Sequence, residues 1–311
     1  MLLAIVLTSA AHAETPPITV HLAASRSYDL LALARAHGQL EPALAAKGIH
    51  VEWPGPYPAM APQIEAMSAG ALDFGSGSCT AFAAARAADA PILAIAFTAE
   101  TTGYEGILVP ADSPIKSAAD LVGRKVAVNK AGTGEYLLLK ALEYNNIPAD
   151  RVTRVFMGPA DAASAFGLGL VDAWAVWDPF VSTAEAKFGA RMLIPNTAID
   201  SDNRTILVAR EGFVHDHPDA TREIFRALQA DDAWATAHPD EAAAAWAKFV
   251  NQPMAIATLL ASHNGKPMVP IGADETAVLQ RAATWMFDHK LIPRQPSITD
   301  HVIDLSTASP T

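Results

Sequence analysis

The stretch VAVNKAGTGEYLLLKAL, residues 126–142, passes from an apolar strand through Ala-Gly-Thr-Gly into a run with apolar residues at helical spacing. Strand, small-residue loop and helix in succession form the unit from which α/β sheets are built. Such a loop leaves backbone N–H groups unpaired at the helix N-terminus, where negative charge is favoured. It does not read as a nucleotide loop. Gly132 and Gly134 could begin a dinucleotide fingerprint, but Leu137 holds the third glycine position and no Gly-Lys-Ser/Thr follows. Two readings stay open: a cradle for a smaller anion, with the Thr133 hydroxyl contributing, or a plain turn with Thr133 as N-cap. Glu135 in the first turn already complements the helix dipole and so weighs against the anion.

The same format recurs on either side. ITVHLA (18–23) ends at Ser25-Arg26-Ser27 before LLALARAHGQLE (30–41), and ALDFGSGS (71–78) runs through Ser76, Gly77, Ser78 and Cys79 into AFAAARA (81–87). With HVEW (50–53), PILAIAF (91–97), DAWAVWDPF (172–180) and RTILVAR (204–210), strands alternate with helices, which predicts a mostly parallel sheet. Ligands of open α/β sheets sit beyond the carboxyl ends of the strands, so the three loops are expected to converge on one crevice. The helix after the Pro-rich GPYPAMAP (55–62) is expected to set Ile64, Met67 and Leu72 near one face, and the helix from Ala160 to set Ala163, Phe166 and Leu170 on one stripe. At the end of DAWAVWDPF, Trp177 either lines a pocket or packs in the core, and Trp174 is the better core candidate. From Pro218 onward successive helical patterns begin at Pro or Asp.

At 311 residues, 51% hydrophobic and 18% charged, the chain can bury a core and is long enough for two lobes. A net charge of −11 and the lack of any basic run argue against nucleic acid as a partner. Residues 1–13, an apolar run ending in Ala11-His12-Ala13, read as a signal peptide too short to span a bilayer, and hence predict export. Cys79 is the lone cysteine; it is either a small buried hydrophobe or a nucleophile ahead of a helix. His215-Asp216-His217 is a weak metal pattern, read equally as a polar entry to the Pro218 helix, so no metal or cofactor is expected.

The succession SAGALDFG (68–75), EGILVPADSPIKSAADLVGRKVAV (105–128), DAWAVWDPF, LVARE (207–211) and HPD (217–219) resembles the aliphatic-sulfonate, taurine and nitrate group of periplasmic substrate-binding proteins, over nearly all of residues 17–295. The resemblance implies a type II periplasmic binding fold: one lobe from 17–105 and 207–295, a second from 106–206, hinge strands near Glu105-Gly106 and Arg204–Ile206, and additional C-terminal helices. It implies a protein that is not an enzyme, that closes on a small organosulfur anion and presents it to an ABC permease, its only contact with the membrane. In such proteins hydroxyls, amides and helix starts hold the anion, which falls here on Ser25, Arg26 and Ser27, on Ser76, Gly77, Ser78 and Cys79, and on Gly132, Thr133 and Gly134. Trp177 and Asp178 would face them. If Arg26 supplies the main charge complement, its loss is expected to lower sulfonate affinity at least about tenfold. Glu100 either favours a ligand with an amine or hydroxyl, or pairs with Arg26. Two other readings use the same scaffold: a desulfinase-like enzyme with Cys79 as nucleophile, and a receptor or synthase for a pyrimidine precursor of thiamine.

Overall fold

The computed structural model describes residues 17–98, 103–263 and 267–305, so the signal segment and Glu100 lie outside the described residues. The chain first forms β1 (Ile18–His21), α1 (Leu30–His37), α2 (Leu40–Ala45), β2 (Ile49–Glu52), α3 (Met60–Ser68), β3 (Phe74–Ser78), α4 (Cys79–Ala87) and β4 (Ile92–Thr98). It then crosses to β5 (Glu105–Val109), β6 (Lys125–Val128), α5 (Thr133–Tyr144), β7 (Thr153–Phe156), α6 (Pro159–Gly167), β8 (Ala173–Trp177), α7 (Phe180–Phe188) and β9 (Arg191–Pro195). Returning, it forms β10 (Thr205–Arg210), α8 (Glu211–Asp216), α9 (Pro218–Ala237), α10 (Pro239–Val250), α11 (Met254–His263), β11 (Met268–Pro270) and α12 (Ala273–Asp288).

Two sheets result, and they share one strand order. In the first, β1 and β2 pair in parallel, and β1 reaches β3 through the Leu22–Phe74 bridge and the Ala23 N–H to the Phe74 carbonyl at 2.9 Å. Continuing as β3-β10-β4-β11, the order is β2-β1-β3-β10-β4-β11. The second is β7-β6-β8-β5-β9. In each, the strand formed directly after a crossing, β10 or β5, inserts antiparallel between neighbours. Four strands of each sheet run one way, as the alternation predicted, and the inserted strand runs against them because it enters from the other lobe and not from a βα unit. The molecule is a type II periplasmic binding fold, two α/β lobes joined by hinge strands with additional C-terminal helices.

Local chemistry sets the elements around the cleft. Asp29 caps α1 by accepting the Ala32 N–H at 2.9 Å, and Gly38 ends it in the left-handed region at φ 73°. The expected single helix over 30–41 is thus two. On β3, a Cβ at Gly77 would lie 2.6 Å from Met60 Cβ, so glycine lets α3 pack directly on the strand. The main core runs through both lobes, while α1, α10 and α11 close a second cluster around Trp246. Two predicted stripes differ. Leu72 is buried but lies beyond α3, and α6 buries Ala162, Ala165 and Phe166 while Leu170, past the helix end, is exposed. Among the described residues no helix is long and apolar enough to cross a membrane.

Candidate functional site

The carboxyl-end loops of both sheets open on one cavity of about 790 Å³. Of the residues expected there, Ser25, Ser27, Ser76, Gly77, Ser78, Gly132, Thr133, Trp177 and Asp178 line it; Arg26, Cys79 and Gly134 do not. Residues sequence reasoning missed include Asp29, Tyr57, Glu105, Asn129, Lys130 and Asn203. Asp29 had a readable signal, an Asp directly before an apolar helical run. Lys130 stood in the opening loop without an assigned role. For Glu105 and Asn203 no local pattern exists, because only the two crossings bring them together.

The second-lobe wall is built by the opening stretch. Asn129 Oδ1 accepts the Gly134 N–H at 2.7 Å, and Glu135 Oε2 accepts the Ala131 N–H at 2.7 Å while its Oε1 receives Arg154 at 2.7 Å. Glu135 therefore braces the loop from behind, as Arg154 absorbs its charge, and does not occupy the mouth of the helix. Gly134 serves close packing: a Cβ there would collide with the Ala175 carbonyl of β8. With those amides engaged, the N–H groups of Gly132, Thr133 and Glu135 are left without a partner among the described residues at the start of a helix twelve residues long, and of these residues Gly132 and Thr133 line the cavity. Lys130 is the only Lys, Arg or His lining the cavity among the described residues. Partial positive charge at a helix N-terminus, two free amides and an ammonium make an anion site.

The first-lobe wall differs. Ser25 and Ser76 hydroxyls both donate to Asp29 Oδ2, at 2.6 and 2.7 Å, and Ser25 Oγ accepts the Ser27 N–H at 3.0 Å. Burial pushes the Asp29 carboxyl above its ordinary range, against these bonds, which favour the ionised form. The α4 start is fully engaged. The Cys79 N–H goes to the Arg204 carbonyl at 2.9 Å, that of Thr80 to Asn203 Oδ1 at 3.4 Å, and that of Ala81 to Ser78 Oγ at 3.2 Å. Arg26 is exposed, its guanidinium donating to the Val250 carbonyl at the end of α10, 3.1 Å away. It is a helix cap and not the charge complement expected of it.

Cys79 is 1% exposed, and its thiol donates toward the Asp202 carbonyl and Asn203 Oδ1 at 3.3 and 3.4 Å. Burial pushes its pKa up to about 12. A buried thiol off the cavity, its ionisation opposed by burial, lacks the exposure and the lowered pKa of a reactive cysteine, which disfavours the desulfinase reading. Cys79 is a small buried hydrophobe and does not make the ligand contact expected of it. Trp174 and Trp177, three residues apart on β8, face opposite sides: Trp174 is core and Trp177 lines the cavity. Asp178 caps α7 through the Ser182 N–H at 2.9 Å and joins the lobes through His263 Nδ1 of α11 at 2.7 Å. Burial, the largest single influence, works against the charged imidazole, but the hydrogen bond and charge of Asp178 together with the charge of Glu185 outweigh it and raise the His263 pKa. At the bottom of the cleft Thr80 and Thr133 hydroxyls approach across the lobes to 3.4 Å.

Two lobes of like topology, a cavity between their loops and a hinge of two crossing strands define a solute-binding protein of the periplasmic type. The chain belongs to the NMT1/THI5-like family, whose model matches residues 44–242. A putative aliphatic sulfonates-binding protein of Escherichia coli (strain K12) is 29% identical over 300 residues, covering 96% of this chain and 92% of the relative. The crystal structure of the periplasmic aliphatic sulphonate binding protein SsuA from Escherichia coli superimposes with a TM-score of 0.82 at 28% identity, over 92% of this chain and 97% of that one. The alkanesulfonate-binding protein SsuA from Xanthomonas axonopodis pv. citri bound to MOPS gives a TM-score of 0.84 at 24% identity, over 93% and 99%; that likeness concerns the fold.

Proposed function

We propose that the protein captures a small organosulfonate anion between its lobes and delivers it to an ABC importer. The observation that carries this is the second-lobe wall, where Lys130, Gly132 and Thr133 line the cavity at a helix start and the Gly132 and Thr133 amides have no partner among the described residues. A sulfonate offers three acceptor oxygens and a charge that persists at any physiological pH, which suits amides and a helix start. The Escherichia coli relative and the solved SsuA structure from Escherichia coli support the same ligand class through their names.

Capture proceeds by closure. The lobes, taken as 17–105 with 207–295 and as 106–206, turn about the segments at Glu105-Gly106 and Arg204–Ile206. A ligand that touches both walls binds the closed form better than the open one and so draws the lobes together. The mature chain is exported to the periplasm after removal of residues 1–13, and its partner is the permease, which reads the closed form and supplies the only link to the membrane.

Thermal-shift measurements with alkanesulfonates, aryl sulfonates, taurine, sulfate, nitrate and an aminopyrimidine test the reading. At millimolar concentration a ligand of micromolar affinity raises the melting temperature visibly. Stabilisation by a sulfonate, weakened about tenfold or more in Lys130→Ala as a charged hydrogen bond is lost, is the expected result. A response confined to the aminopyrimidine, or none, overturns it.

A further inference from the structure

The donor and acceptor inventory of the first-lobe wall says what else such a ligand carries, and it rests on the sulfonate reading above. Ser25 follows β1 and Ser76 lies in β3, so two separate elements deliver their hydroxyls to one carboxylate oxygen. A serine hydroxyl has one hydrogen to give and two lone pairs to offer. Both hydrogens go to Asp29, and the Ser27 amide is spent on Ser25. What these oxygens can turn to the cavity is lone-pair density backed by a carboxylate. A sulfonate needs the reverse. No Lys, Arg or His of this lobe lines the cavity among the described residues, whereas Asp29, Glu65, Asp232 and Asp240 do. The ammonium of Lys130 and the unpartnered amides of Gly132 and Thr133 stand opposite, where the lining carboxylate of that lobe, Asp178, is already paired with His263 at 2.7 Å. The unpaired positive charge therefore lies on one wall and the serine-backed carboxylate on the other.

We propose that Asp29, acting through Ser25 and Ser76, makes the first-lobe wall a subsite for a protonated amine, so that the ligand is a dipolar organosulfonate with its sulfonate at α5 and its ammonium on the wall opposite. Such a ligand satisfies both walls only when they approach, which couples recognition of the amine to closure. An alkyl group in the ammonium's place would strip water from the polarised oxygens without replacing its hydrogen bonds.

Isothermal titration of the mature chain with matched pairs tests this: 2-aminoethanesulfonate against propane-1-sulfonate, and 3-aminopropanesulfonate against butane-1-sulfonate, each pair exchanging ammonium for methyl. In the wild type each amine is expected to bind at least about tenfold more tightly than its partner. Asp29→Asn keeps an N-cap acceptor for α1 and is expected to bring that ratio close to one. Ser76→Ala, which leaves the cap untouched, is expected to lower the ratio and carries the test by itself if Asp29→Asn does not fold. Equal or tighter binding of the alkanesulfonates to the wild type, or an unchanged ratio in folded variants, overturns the subsite and leaves the sulfonate reading standing. Silence toward all four compounds removes the sulfonate reading and the subsite with it.

Discussion

The guanidinium of Arg26 donates to the end of α10 and the Cys79 thiol lies in the hinge-side core, so neither side chain reaches a ligand in the cavity. Arg26→Ala and Cys79→Ser are both expected to keep sulfonate affinity within about twofold, since no charged hydrogen bond to ligand is lost. A tenfold loss in either, by titration calorimetry, would return that residue to the site. The residue types that mark the cleft were legible: small and hydroxyl residues where a strand gives way to a helix are a local pattern. Which way each hydroxyl points was not. Ser76 is 47 residues from Asp29, and that tertiary bond alone turns an expected donor into an acceptor. Arg26 misled for the same reason, since its partner carbonyl is 224 residues away.

Strands and helices could be read from apolar runs and spacing, but the direction of β5 and β10 could not, because an apolar run carries no sign. Their antiparallel insertion brings Glu105, the first residue of β5, against the segment entering β10. There Asn203 Nδ2 donates to it at 2.6 Å and the Ser201 hydroxyl lies 3.4 Å away. Glu105 is fully buried, and burial raises its carboxyl from 4.5 to about 8 despite these bonds. Between those values the unfolded chain has released a proton that the folded chain keeps. Stability contributed here is thus complete below about 4.5, falls as pH rises, and levels off above about 8. Glu105→Gln, which cannot ionise, is expected to flatten that decline in urea unfolding followed from pH 5 to 8.5. Parallel pH profiles for variant and wild type would show that the carboxyl ionises normally at the hinge.

At the scale of the whole molecule, the recurrence of one strand order in both sheets makes the cleft a meeting of equivalent ends, the carboxyl ends of each set of parallel strands. That convergence followed from the alternation of strands and helices. The unequal chemistry of the two walls did not, since it depends on which amides and hydroxyls are already consumed within each lobe. The account claims that the anion is held by the second lobe, at the start of α5. A crystal structure of the mature chain with an alkanesulfonate tests that claim most directly. The predicted result places sulfonate oxygens within hydrogen-bond distance of the Gly132 and Thr133 amides; a sulfonate seated on Ser25–Ser27 and Ser76, or outside the cleft, would contradict it.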